Sequence, residues 1–230
     1  MSKDEWLTAI GMTVDEIPEK IILEGTWWQK ERYPVRLEYL TKVRELKFPD
    51  MYLGEYEGSK VMFCCAYGAP RAVEPVHIFG VLGTKKVIQI GSCGGLQPNI
   101  QTGDIVIPTT SFIGEGASQY YGQLVSSTAT QGLVESADRV LTNLGLKTFV
   151  GAHISTSALL QQSDEVVEKC LSSCCSLSLF SVSLSVCLCR TFSLSLCASL
   201  LFLCVRVVAL FCGVSLRAAA LKISKFKFSI

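Results

Sequence analysis

The stretch Val87-Ile88-Gln89-Ile90-Gly91-Ser92-Cys93-Gly94-Gly95-Leu96, followed by Gly103-Asp104-Ile105-Val106-Ile107, decides the fold of this chain. It reads as a buried strand, a glycine turn and a second strand. A turn of the form Gly-Ser-x-Gly-Gly at a strand end exposes several backbone N–H groups and one hydroxyl, with little side-chain bulk in front of them. An anion or a sugar could be held there, so the turn predicts a ligand cradle.

The flanking sequence alternates between strand-like and helix-like runs. Upstream, residues 20–23 form a short apolar run closing at Gly25, and residues 29–46 are mixed, predicting helix in pieces around Pro34. Residues 52–56 and 60–66, joined by Glu57-Gly58, predict a hairpin. Residues 71–82 carry a helical pattern that places Ala72, Val76, Phe79 and Leu82 on one side despite Pro75. Strands are expected at 86–90 and 104–107, then a glycine-rich connection through Gly114 and Gly116, a helix over 132–144 and a strand over 147–152. This order predicts a central, largely buried sheet covered by helices on both faces.

The net charge of +1 over 230 residues conceals two unlike parts. Residues 1–170 hold all seven prolines, both histidines and all twenty acids, against fifteen Lys and Arg; residues 171–230 hold six basic residues and no acid. The composition predicts one domain over 1–170 and, over 171–230, a low-complexity Ser/Leu/Cys-rich tail outside the fold. Cys64, Cys65 and Cys93 fall in the first part and eight further cysteines from Cys170 onward. Few cysteines in an acidic α/β-like segment predict reduced thiols and a cytoplasmic location. No cysteine pair has a partnering histidine at zinc-site spacing, so no metal is expected. The start, Met-Ser-Lys-Asp-Glu-Trp, has acids and no apolar run and does not read as a secretory signal.

Gly91-Ser92-Cys93-Gly94-Gly95-Leu96 with Gly103-Asp104-Ile105-Val106 resembles the core signature of the nucleoside phosphorylase and nucleosidase superfamily. The hairpin Leu53-Gly54-Glu55-Tyr56-Glu57-Gly58, the loop Tyr67-Gly68-Ala69-Pro70 and Leu82-Gly83-Thr84-Lys85-Lys86 follow in that family's order and spacing. The likeness covers roughly residues 19–169. It implies a three-layer α/β/α fold around a central mixed twisted sheet, incomplete at the C-terminus. It also implies cleavage of the N-glycosidic bond of a purine or pyrimidine nucleoside, with phosphate as co-substrate and no cofactor. The implied partners are a nucleoside, phosphate and further copies of the chain in a homo-oligomer. No nucleic acid or membrane partner is expected.

By the same resemblance, Gly91 and Ser92 match phosphate-holding positions, and Cys93 and Gly94 match the turn beside base and ribose. Gly25 falls where the family places a phosphate-binding glycine, although Thr26-Trp27-Trp28 departs from the usual Gly-Asp-Pro. Gly68 lies in a loop that borders the phosphate pocket, with a plain structural turn as the alternative. Gln89 stands where many phosphorylases carry an arginine, and a neutral amide grips phosphate less well than a guanidinium. Arg71, at the end of the Gly68 loop, is one candidate for the missing charge. Arg44 is a second, resembling an arginine donated across a dimer interface. For both, a solvated surface arginine is the alternative.

No catalytic residue is assigned. Glu74 and Glu115 are carboxylates near motif loops, with solvation as their simpler explanation; His77 and His153 read as structural. The loop 115–121 resembles one that approaches the nucleoside or a neighbouring subunit. Gln89 keeps a hydrolytic nucleosidase of the same fold as an alternative, and a non-catalytic nucleoside-binding or membrane-tethered remnant as another. The family continues with a Met-Glu pair for the ribose hydroxyls and a later group near the base, yet no Met follows Met62 and no acid follows Glu168. The chain is therefore expected to be inactive through truncation. Its Ser-Leu-rich tail reads as an exposed alternating strand, a marginal membrane anchor, or translated non-coding sequence.

Overall fold

The computed structural model describes residues 1–26, 28–122, 125–156, 163–165, 168 and 179–184. It opens with a helix, α1 (Lys3–Ile10), that the sequence reading did not anticipate. Ser2 and Glu5 form a reciprocal capping box, and Gly11 ends the helix at φ +69°. A Cβ on Gly11 would stand 2.9 Å from the Lys47 side chain, so glycine is needed there for conformation and for space.

β1 (Lys20–Glu24) follows, then α2 (Gln29–Leu37). The helix expected to run in pieces to residue 46 ends instead at Leu37, and Thr41–Glu45 is a strand, β2. β-branched Thr41 and Val43 suit an extended backbone, and pairing with the next strand overrides the mixed local pattern. β3 (Met51–Tyr56) and β4 (Ser59–Cys65) form the expected hairpin. Its two turn residues, Glu57 at φ 45° and Gly58 at φ 79°, have the left-handed conformation that matches the twist of paired strands.

α3 (Ala69–Leu82) starts at Gly68 and stops at Gly83. Its buried face is Ala72, Pro75, Ile78, Phe79 and Leu82, so Val76, expected on that face, points instead toward solvent. β5 (Lys86–Ile90) then runs parallel to β1. The first sheet has the order β2-β3-β4-β1-β5. Period-two alternation sends Ile21 and Leu23 to one face, against Leu7 and Ile10 of α1 and Ile78, Phe79 and Leu82 of α3. Ile22, Val61, Phe63 and Ile90 go to the other, against Tyr33 of α2. Helices on both faces make the three layers, and each fully buried Phe79 or Ile10 contributes about 1.5–3 kcal/mol.

After the glycine turn come β6 (Gly94–Gly95), β7 (Ile105–Gly114), a 3-10 turn at Ser118–Tyr121, β8 (Ser126–Thr128), α4 (Gln131–Asn143), β9 (Thr148–Thr156) and β10 (Leu179–Leu184). They form a second mixed sheet, β6-β10-β9-β7-β8, with Ile107 against Val134, Ala137 and Leu141 of α4. β7 runs well past the expected end at Ile107, because an irregularity between Pro108 and Thr110 accommodates the proline without ending the ladder. β10 pairs parallel with β9 and antiparallel with β6. The tail expected outside the fold thus supplies one strand, which stands between β6 and β9 and keeps β9 from being an edge. The anchor and non-coding readings of residues 185–230 lie outside the described residues. Among the described residues, no helix is long and apolar enough to cross a membrane.

Candidate functional site

β4, β1 and β5 lie side by side and parallel, so their C-terminal ends share one edge of the first sheet. The Gly25 N–H donates to the Ile90 carbonyl at 2.8 Å, and the Ala66 N–H donates to the Glu24 carbonyl at 2.9 Å. A Cβ on Gly91 would lie 4.0 Å from the Gly25 carbonyl. Gly25, Gly91, half-buried Ser92 and the Gly68 loop are therefore brought to one edge, where ligands of open α/β sheets commonly bind. Gly68, at φ +84°, turns the chain from β4 into α3, a conformation that strains any side chain. Among the described residues nothing lies within 4 Å of a Cβ on Gly94, whereas one on Gly95 would meet Ile100 Cγ2 at 2.9 Å. Gly95 is thus needed for packing, and Gly94 pairs with Val182 of β10. Cys93, between them, is half-buried.

The candidate arginines lie elsewhere. Arg71 donates to Glu74 at 2.7 Å and to the Pro49 carbonyl at 2.7 Å, and stands 5.4 Å from the centre of the Phe48 ring. Its guanidinium is occupied on the side of the segment between β2 and β3. Arg44 sits on β2 at the far edge of the sheet from β5 and binds Glu16 at 2.8 and 3.1 Å. Arg71 is tied to the Gly68 loop by its backbone N–H, which donates to the Gly68 carbonyl at 3.2 Å, but its guanidinium is turned to Glu74 and Pro49, and that of Arg44 to Glu16.

Three charged residues not singled out from the sequence stand closer. Glu24, the last residue of β1 and the neighbour of Gly25, is buried, as are Arg32 and Arg36 of α2. Arg36 grips both oxygens of Glu24, Nε to Oε2 at 2.5 Å and Nη2 to Oε1 at 3.0 Å. Arg32 Nε lies 3.5 Å from Glu24 Oε1. Tyr33, between them in sequence, donates its hydroxyl to the Asp50 carbonyl and accepts from the Cys65 N–H, tying α2 to the hairpin. The available signal was Glu24 itself: an acid at the inward-facing position two residues after Ile22 needs a buried cation, and Arg32 and Arg36 share a helix face.

Glu115 differs from its expected solvated state. It is buried, and its carboxylate accepts from the N–H groups of Ala117 at 2.6 Å and Ser118 at 3.0 Å, capping the 3-10 turn. That turn reaches α3, where His77 lies 5.5 Å from the Tyr121 ring and 6.1 Å from Trp6. His153 has a partner that sequence distance hides: Ser111, beside it across β7 and β9, stands 2.7 Å from Nδ1. Burial lowers the His153 pKa to about 4. Burial likewise pushes the Cys64 thiol up to about 11 and raises that of Cys65, with Glu24 adding to the latter. Among the described residues no group of three His, Cys, Asp or Glu side chains is arranged to hold a metal.

Residues 31–173 match the model of the phosphorylase superfamily, and the chain belongs to that family. It is 25% identical over 152 residues to the uridine phosphorylase of Thermococcus kodakarensis, covering 62% of this chain and 52% of the relative. To the uridine phosphorylase of Haemophilus influenzae it is 28% identical over 144 residues, 59% of this chain and 54% of the relative. The chain thus spans about half the length of these curated relatives. The fold is similar to a crystal structure of uridine phosphorylase from Vibrio fischeri, with TM-score 0.69, 16% identity, and coverage of 87% of this chain and 94% of that one. Nucleoside phosphorylases use phosphate as co-substrate and need no cofactor.

Proposed function

We propose that this chain carries the phosphate end of a nucleoside phosphorylase site. The observation behind this is the joining of Gly25 to Ile90, which sets Gly25, Gly91 and Ser92 at one strand edge. Backbone N–H groups and the Ser92 hydroxyl would hold phosphate there, and Cys93 and Gly94 would border the nucleoside. In the reaction, a phosphate oxygen bonds C1′ as the C1′–N bond breaks; the bonding electrons leave with the base, which is stabilised by a proton or hydrogen bond. The sugar passes through an oxocarbenium-like state beside the phosphate anion.

The names of the relatives support uridine as the first substrate to test. Arg44 and Arg71 would serve only if a neighbouring subunit or a side-chain rearrangement brought them to the edge. A homo-oligomer and a cytoplasmic location, with Cys64 and Cys65 as reduced thiols, complete the reading. Residues 1–170 would form the phosphorylase-like unit. Turnover by this chain alone is proposed to be slow or absent, since no acid follows Glu168 to take the ribose hydroxyls. Neutral Gln89 favours hydrolysis as the second reading.

The full chain should be incubated with uridine, with and without inorganic phosphate. Phosphate-dependent release of uracil with ribose 1-phosphate supports phosphorolysis. Free ribose in both conditions overturns it in favour of the nucleosidase reading. Binding of uridine and phosphate without release identifies a non-catalytic protein.

A further inference from the structure

We infer that β10 is the clasp of the glycine turn: by pairing with Gly94 and Gly95 it sets the nucleoside half of the strand-end edge, so the order of this strand and binding at the turn are linked. This rests on the reading of Cys93 and Gly94 as the nucleoside border, and adds the element that shapes it.

The pairing carries the inference. Gly94 lies opposite Val182, and Gly95 opposite Ser181. β6 stands at the end of its sheet, so β10 is its strand partner among the described residues. Two consecutive glycines have very wide backbone freedom, and a two-residue strand does not hold an extended form by itself. The ends of the turn have contacts of their own. Before it, the Gly25 N–H bonds the Ile90 carbonyl; after it, the Ile100 N–H donates to the Gln97 carbonyl at 3.1 Å, and Ile100 fills the space that a Gly95 Cβ would need. Between them, the extended backbone at Gly94 is set from β10. That strand, Leu179–Leu184, is held on its other side by residues 152–156 of β9, with a register irregularity between Leu179 and Ser181. It therefore ties the turn to the second sheet through the backbone. The phosphate half of the edge has separate support, since Gly25 and Gly91 are placed by β1 and β5 of the first sheet. The edge is thus built in two halves from different elements, and the nucleoside half depends on the tail. Linkage then requires a ligand seated against Gly94 to stabilise β10, and loss of β10 to weaken that ligand.

The full chain should be followed by hydrogen exchange with peptide mass spectrometry, alone and with uridine plus inorganic phosphate. Residues 92–96 and 179–184 are expected to exchange as one unit, and uridine to slow both at least about threefold. Exchange of 179–184 while 92–96 stay protected overturns the proposal. Val182→Pro removes one backbone donor from the ladder. It should raise the iodoacetamide rate of Cys93 and weaken uridine binding, each at least about fivefold, with phosphate affinity within about twofold of the unmodified chain. Unchanged Cys93 labelling, or equal loss of uridine and phosphate binding, overturns the proposal and makes β10 an ordinary structural strand. Val182→Ala keeps the backbone and should behave as the unmodified chain. If Val182→Pro does not fold by circular dichroism, the exchange of the unmodified chain decides. Linked exchange without uridine binding keeps the clasp and removes the phosphorylase reading; uridine binding with unlinked exchange does the reverse.

Discussion

His153 shows how a single side chain ties stability to pH. Its folded pKa of about 4 lies below the ordinary value of 6.5, so the unfolded chain binds the proton more readily. Stability from this site is present above about pH 6.5 and is lost as pH falls toward 4, by at most about 3 kcal/mol. Replacing His153 with Asn should flatten that acid limb, measured as the urea midpoint between pH 4 and pH 7. Thiol reactivity is set by burial in the same way. Only the thiolate reacts, and Cys64 and Cys65 are both buried and raised in pKa, whereas Cys93 is half-buried in the turn. Iodoacetamide at pH 8 should label Cys93 before Cys64 or Cys65, read by peptide mass spectrometry; equal rates would show that the strand-end core opens readily. The turn through Gly91 and Ser92, between β5 and β6, was legible from sequence because it is local. The Ser111–His153 bond was not, because it joins residues that only the β7–β9 register makes neighbours.

Elements followed their sequence signals where periodicity and turn chemistry agreed. The 51–65 hairpin has alternation plus a Glu-Gly turn, and α3 has Gly68 before it and Gly83 after it. Residues 41–45 failed that test, since their pairing partner β3 lies beyond an intervening loop and the local pattern alone is mixed. α1 was missed for another reason: its box Ser2-x-x-Glu5 is a clear start, but the helix is short and needs α3 and β1 to bury it. Ile10, fully buried, should therefore cost about 2–5 kcal/mol when changed to Ala, while Ser2→Ala should cost about 1 kcal/mol. Both are checked by denaturant unfolding. If Ile10→Ala is neutral, α1 does not anchor the first sheet.

For the whole molecule, the question is what completes the second sheet. β10 is paired on both sides, with β9 and with the two-residue β6. A chain ending at residue 170 would leave the long strand β9 with an open row of backbone donors and acceptors. Such a chain should scatter more light on warming to 37 °C than the full chain at equal concentration. Equal behaviour would mean that β10 contributes nothing to the sheet. The sequence by itself determined the strands either side of the glycine turn, the hairpin, the α/β alternation and the turns at Gly25, Gly68 and Gly91, because those depend on local sterics and short-range periodicity, although β5, expected to be buried, is a largely exposed edge strand. Only the tertiary structure decided that Gly25 and Gly91 share an edge, that Glu24 is held by Arg36 and Arg32, and that Arg44 and Arg71 are engaged elsewhere. Parallel strands pair across long stretches of chain, and no local signal encodes which distant strand end, or which buried charge, will stand beside another.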